Sequence, residues 1–291
     1  MKSAFFFLLL SLCLPVFSPP AIGQTDWFVP TPLQSTYQAL LANHPEQAWQ
    51  ELHLALSQAP LSCKHWVPVK NAILTQTECG QTLPEQHTSP SMHTPSITLH
   101  MIRRFGITSQ GYQIKISAVQ SPLTDKDNHM LPVTLLSPTN HTLLSGEFST
   151  QSPYQEIEMA DLMIKPMPGR YLLTVGEHTY PLLIAMESRS QWLTLTHTPQ
   201  GSQVALSLPE TIEGCPAVNA RWQWFDDEYN TLGKPQLMLR KTESVPRSYP
   251  LGAKHLAASV ERVEFQQGVT VHYIQRINVP FHEPEPSSPS Q

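Results

Sequence analysis

The chain has 291 residues, a formal charge of −5 and 14% charged residues. That length is enough for two or three small hydrophobic cores, and no basic stripe offers a surface to nucleic acid. The 28 prolines against 12 glycines invert the average usage of roughly 5% and 7%, which suits an all-β protein with proline at its strand edges and speaks against a glycine-looped dinucleotide-binding enzyme.

Residues 1–23 read as a secretory signal peptide. Met1-Lys2-Ser3 is a short positive start, Ala4 to Leu14 is apolar apart from Ser11, and Pro19-Pro20 ends any helix. Ala21-Ile22-Gly23 sets small residues before a cut at Gln24. The apolar run is shorter than the roughly 20 residues a spanning helix requires, and Cys13 lies inside it behind Leu12, an unsuitable place for lipidation. No later segment is apolar enough to span a membrane once the signal is removed, so the expected location is periplasmic or secreted.

A helical segment is expected over 24–79. Leu33, Tyr37, Leu40 and Leu41 fall on one helical face; Pro45 restarts the chain; Ala48, Trp49, Leu52, Ala55 and Leu56 make a second face; and Trp66, Val69, Lys70 and Ile73 suggest a third helix. His53 is expected at a packing edge. The first two helices have the form of one tetratricopeptide-type hairpin, but a solenoid requires several repeats, so a small helical cap is the preferred reading. An exported chain favours disulfides. Of Cys63, Cys79 and Cys215, the pair Cys63 and Cys79 is favoured for closeness in sequence, with pairing to Cys215 left open.

Residues 80–95 read as a linker rich in proline and serine. From Ile97 the pattern becomes short alternating strands with turns every 8–12 residues or so, the signature of a β-sandwich. Tyr171, near the start of one strand, occupies the place of a tyrosine corner. After Ser190 the plan repeats: Gln110-Gly111 and Gln200-Gly201 are 90 residues apart, as are Asn140 and Asn230, each pair in matching serial positions. The expected fold is therefore mainly β, with two tandem immunoglobulin-like sandwiches over 96–187 and 190–282 and a disordered tail over 283–291.

No nucleophile elbow, zinc-helix motif, P-loop or C-x-x-C pair occurs, and the histidines lack partners at useful spacing. No catalytic residue, cofactor or metal site is expected. Two features remain as candidate binding residues. Trp222 and Trp224, two apart, share one strand face; the sandwich core is the preferred place for them, with an exposed sugar- or partner-stacking surface as the alternative. Asp226-Asp227-Glu228 lacks the spacing of a calcium loop and reads as an acidic turn.

The export signal, the helical hairpin with its cysteine-bracketed third helix, and the Trp222-Gln223-Trp224-Phe225-Asp226-Asp227 strand together resemble a family of uncharacterised exported proteins of vibrio-type gammaproteobacteria. That family is classed as a domain of unknown function, and members can be encoded beside a cell-wall-stress two-component system. The resemblance implies an envelope role without catalytic residues. The expected function is a non-enzymatic periplasmic or secreted accessory protein that binds an envelope protein or glycan through sandwich surfaces. The rivals are a carbohydrate- or peptidoglycan-binding module and a two-sandwich envelope chaperone, although such chaperones begin directly with a sandwich.

Overall fold

A computed structural model describes residues 31–84, 95–106, 110–120, 129–186, 191–199 and 201–280. The expected signal peptide, most of the linker and the tail lie outside the described residues. Three helices come first: α1 (Gln34–Leu41), α2 (Pro45–Gln58) and α3 (Cys63–Gln76). Pro45 opens α2, where a missing N–H is harmless. Ala48, Trp49, Leu52 and Ala55 of α2 and Trp66, Val69, Ile73 and Leu74 of α3 are buried together. Helix α1 turns differently from its expected face: Leu33, Thr36 and Ala39 are buried, while Leu41 is exposed. Small residues on that face let α1 approach α2 closely. The cap docks on the β-structure through Leu183, Ala185 and Ile212, which share its core.

The first half of the β-structure runs β1 (Ser96–Phe105), β2 (Gln110–Val119), β3 (Met130–Leu136), β4 (Thr142–Ser149), β5 (Tyr154–Glu158), β6 (Gly169–Val175) and β7 (His178–Ile184). The second runs β8 (Leu193–Thr198), β9 (Gly201–Leu206), β10 (Asn219–Phe225), β11 (Thr231–Leu237), β12 (Thr242–Ser244), β13 (His255–Gln266) and β14 (Val269–Val279). In the first half the strand orders are β5-β2-β1 and β4-β3-β6-β7; in the second they are β12-β9-β8 and β11-β10-β13-β14. The two halves thus have the same strand order. The turns 90 residues apart are equivalent, since Asn140 lies between β3 and β4 and Asn230 between β10 and β11. Tyr171 donates its hydroxyl to the Met167 carbonyl at 2.6 Å, the back-bond of a tyrosine corner.

The two halves are joined through a shared sheet. Strand β1 pairs with β14 in parallel along nine residues, from Ile97 opposite Val269 to Phe105 opposite Ile277. This merges a three-stranded layer of one half with a four-stranded layer of the other into a sheet ordered β11-β10-β13-β14-β1-β2-β5. Inward residues of all three sheets form one continuous hydrophobic core across both halves, and the described residues from Pro32 onward form one compact unit. The junction was hidden in the sequence because the strands that meet are the first and last of the β-structure.

The disulfide also differs from the favoured pairing. Cys79 is bonded to Cys215, and Cys63 is free and exposed. Cys63 opens α3 and Cys79 follows its C-terminus, so an unbroken helix holds them about 20 Å apart at 1.5 Å per residue. A disulfide requires Cα atoms within about 7 Å. The bond instead ties the end of the cap to the loop between β9 and β10. Beside it Gly80 has φ +89°, and a Cβ there would lie 1.9 Å from the Phe265 carbonyl oxygen, so the backbone approach admits only glycine.

The cap hides two further polar groups. Lys70 of α3 contacts both oxygens of Glu264 on β13, at 2.7 and 2.9 Å. His53 is buried on α2, edge-on to Trp49, rather than at a packing edge. Burial, and then the positive charge of Arg170, push its pKa down to about 3. The neutral ring is therefore required by the fold, whereas the unfolded chain gains a proton below about pH 6.5. Stability should be lost progressively as pH falls from about 6.5 toward 3, by about 2 kcal/mol at pH 5 from this group alone. His53→Leu should flatten the acid limb of a plot of Tm against pH; an unchanged slope would refute that assignment.

Candidate functional site

The inward side chains of β1 are Ile97, Leu99 and Met101, and those of β14 are Val269, Val271 and Tyr273. Alternation therefore turns Thr98, His100, Ile102 and Arg104 outward on β1, and Thr270, His272, Ile274 and Arg276 outward on β14. The parallel register sets these opposite one another: Thr98 by Thr270, His100 by His272, Ile102 by Ile274, and Arg104 by Arg276. The same outward motif, Thr-x-His-x-Ile-x-Arg, occurs at 98–104 and again at 270–276. The outer face of the seven-stranded sheet thus carries a ladder of like pairs along its central seam.

The two imidazoles lie with ring centroids 5.0 Å apart. His272 Nδ1 contacts the Glu261 carboxylate, which also pairs with Arg221 at 3.0 Å. His100 Nε2 lies 3.1 Å from the Ser117 hydroxyl. Burial, with the neighbouring His272 and Lys115, pushes the His100 pKa down to about 4. Burial alone pushes Glu261 up, but His272 and Arg221 outweigh it and hold the carboxyl below its ordinary value. The seam is therefore built to keep His100 neutral and Glu261 ionised.

Beside the seam lies a groove of about 760 Å³, with walls from both halves. One wall comes from β2, β5 and the segment after β5. There Lys115 bonds Glu156 at 2.7 Å, the Tyr154 hydroxyl donates to Glu156 at 2.5 Å, Gln113 donates to Glu158, and Arg104 pairs with Asp161. The hydrogen bond to Glu156 pushes the Tyr154 pKa up to about 12. The other wall holds Phe225, Tyr229, Asn230 and His255. Tyr229 stacks on His255, with centroids 4.2 Å apart and planes within 4°. At about 4.8 Å per strand, the five intervals from β10 to β5 give a span of about 24 Å. Arg276 and Asn278 of β14 lie between the walls.

The sequence candidates divide at β10. Trp222 and Trp224 face inward and are buried in the core at 1% and 5% exposure, so neither is a surface for a sugar. The acidic turn reaches the groove rim through Tyr229 and Asn230 rather than through its carboxylates. Asp226 accepts the backbone N–H groups of Glu228 and Asn230 and the Asn230 side-chain amide. These hydrogen bonds, chiefly from Asn230, hold its pKa below the ordinary value, and its acceptors serve the turn. Asp227 is exposed. Among the described residues no three metal-ligating side chains converge on one point. A second cavity of about 240 Å³, lined by Lys64, Lys165 and Arg262, has the free Cys63 at its edge. The groove residues escaped the sequence reading, although the repeated Thr-x-His-x-Ile-x-Arg motif was visible in it.

Fold and groove together define a mainly β protein with three sheets, a disulfide-tied helical cap and a polar groove on its widest sheet. The family described as protein of unknown function, DUF2861, matches residues 27–282, and the chain belongs to that family. No curated protein matches it. Among solved structures, the native conformation of E. coli alpha-2-macroglobulin is similar at 11% identity and a TM-score of 0.22, over 68% of this chain and 15% of that one.

Proposed function

We propose that this chain is a non-enzymatic binding or accessory protein of the cell envelope, periplasmic or secreted, that works through the outer face of its seven-stranded sheet. The groove carries this reading. It is large and polar, and both halves build it, so the fusion of the halves acquires a purpose. Its walls suit recognition rather than proton transfer: Glu156, Glu158 and Asp161 are each engaged by Lys115, Gln113 and Arg104. We read each half as an immunoglobulin-like sandwich, supported by the shared strand order, the Tyr171 corner bond and the inward Trp222. The signal-like start and the Cys79–Cys215 bond suit an oxidising compartment outside the cytoplasm. Among the described residues no helix is long and apolar enough to cross a membrane.

A photo-crosslinking amino acid at Asn278, exposed in the groove, tests the proposal in living cells. The control position is Thr194, exposed on β8 of another sheet. A discrete adduct with an envelope component at Asn278 and none at Thr194 is the expected result. No adduct, or the same adduct at both positions, would refute the groove as the working surface.

A further inference from the structure

Arg276 stands out among the cations of the groove. Arg104 is paired with Asp161 and Lys115 with Glu156, and Arg221, beside the groove, is paired with Glu261. Arg276 is half-buried between Arg104 and Arg221, and its side chain has neither a hydrogen bond nor an ion pair among the described residues; its guanidinium carbon lies 5.8 Å from the centre of the Phe225 ring. Burial, and then the like charges of Arg221 and Arg104, hold its pKa below the ordinary value. The two carboxylates whose charge it senses, Glu261 and Glu158, are engaged by His272, Arg221 and Gln113. The planar fork of five side-chain donors therefore opens on the groove with no acceptor hydrogen-bonded to it among the described residues. An arrangement that repels itself in the free protein is one that an anion would relieve.

We propose that the groove holds an anionic saccharide, with its carboxylate or phosphate on Arg276 and a sugar ring on the exposed face of Tyr229. The inference rests on the groove being the working surface. Three observations select a saccharide. First, the floor is a sheet face whose backbone groups are already paired along the ladders, so an extended peptide would gain none of the main-chain bonds it gains at a sheet edge. Secondly, Tyr229 is 62% exposed and is held flat by His255, which presets an aromatic plane for the C–H face of a sugar. Phe225 links the two features: it lies under Arg276 and is the register partner of His255. Thirdly, Glu156, Glu158 and Asp161 line the same groove, so a polyanion would be repelled where a ligand with a single anionic group is not.

Calorimetry on the purified full chain tests this with four probes: glucuronate for a carboxylate, glucose 6-phosphate for a phosphate, maltotriose as a neutral sugar and triglutamate as an acidic peptide. One of the two anionic sugars should bind, and which one identifies the anion; maltotriose should be weaker by about tenfold or more. Arg276→Gln should weaken that binding by about tenfold to hundredfold, the worth of a hydrogen-bonded charge, and Tyr229→Ala should weaken it severalfold. Free Arg276→Gln should melt about 2–4 °C higher than the parent. Binding unchanged in Arg276→Gln, equal binding of maltotriose, tighter binding of triglutamate, or no binding of any sugar at millimolar concentration would each overturn the proposal. If the sugars fail while Asn278 still cross-links an envelope component, the ligand class falls and the groove reading stands; if both fail, both fall.

Discussion

Lys70→Met is expected to lower folding stability by about 3–5 kcal/mol, the usual cost of leaving one member of a buried ion pair behind. Glu264 is fully buried and accepts from Lys70, from the Tyr273 hydroxyl at 2.9 Å and from the Gln266 amide at 2.6 Å. Burial alone pushes its carboxyl up, but Lys70, Arg262 and these hydrogen bonds outweigh that and hold it below the ordinary range. Removing the ammonium leaves a carboxylate in an apolar joint, with Tyr273 and Gln266 as its remaining hydrogen-bond donors. The deficit should shrink as the pH is lowered, because the orphaned carboxyl can then take a proton, whereas the paired one in the parent resists it. The double variant Lys70→Met/Glu264→Gln should recover most of the loss. Denaturant melts of the parent and the two variants between pH 7 and pH 4.5 are the measurement. A deficit independent of pH, or no recovery in the double variant, would mean that Lys70 acts by packing alone.

The same joint shows how far the sequence can be read. Trp66, Val69, Lys70 and Ile73 lie at helical spacing and mark the buried face of α3. That Lys70 is among them is a visible anomaly, but its partner is 194 residues away, and no local pattern points to Glu264. Strands with period-2 alternation, such as β6, were legible because each buries a stripe of apolar residues. Strand β12 was not: it has three residues, and its exposed edge has no stripe to show. The groove was hidden for a related reason. Its residues are the polar half of the alternation, which local patterning assigns to solvent. Only the parallel pairing of β1 with β14 sets Arg104 beside Arg276 and His100 beside His272. The two halves repeat at a spacing of 90 residues, whereas Thr-x-His-x-Ile-x-Arg recurs at 172, the separation in sequence of the two strands of the seam.

The Cys79–Cys215 bond spans 136 residues, and closing so long a loop in the unfolded chain is worth about 5 kcal/mol in the chain-entropy model. Cys79→Ser/Cys215→Ser is therefore expected to lose about that much stability, while Cys63→Ser, at an exposed helix start, should lose little. The loss should not be uniform. Cys79 lies where α3 ends, in a turn with Gly80 packed on the Phe265 carbonyl and Cys79 itself in a left-handed conformation at φ +62°. Without the covalent tie that strained turn can relax, and the cap is then held by its apolar contacts and by Lys70. Amide exchange in α3 should accordingly accelerate more than in β13 or β14, which are paired on both sides. Non-reducing peptide mapping of the parent should recover the Cys79–Cys215 peptide and an alkylated Cys63. A dominant Cys63–Cys79 peptide would require α3 to be broken near its middle, and a uniform rise in exchange across cap and sheet would show that the bond acts on the unfolded chain alone.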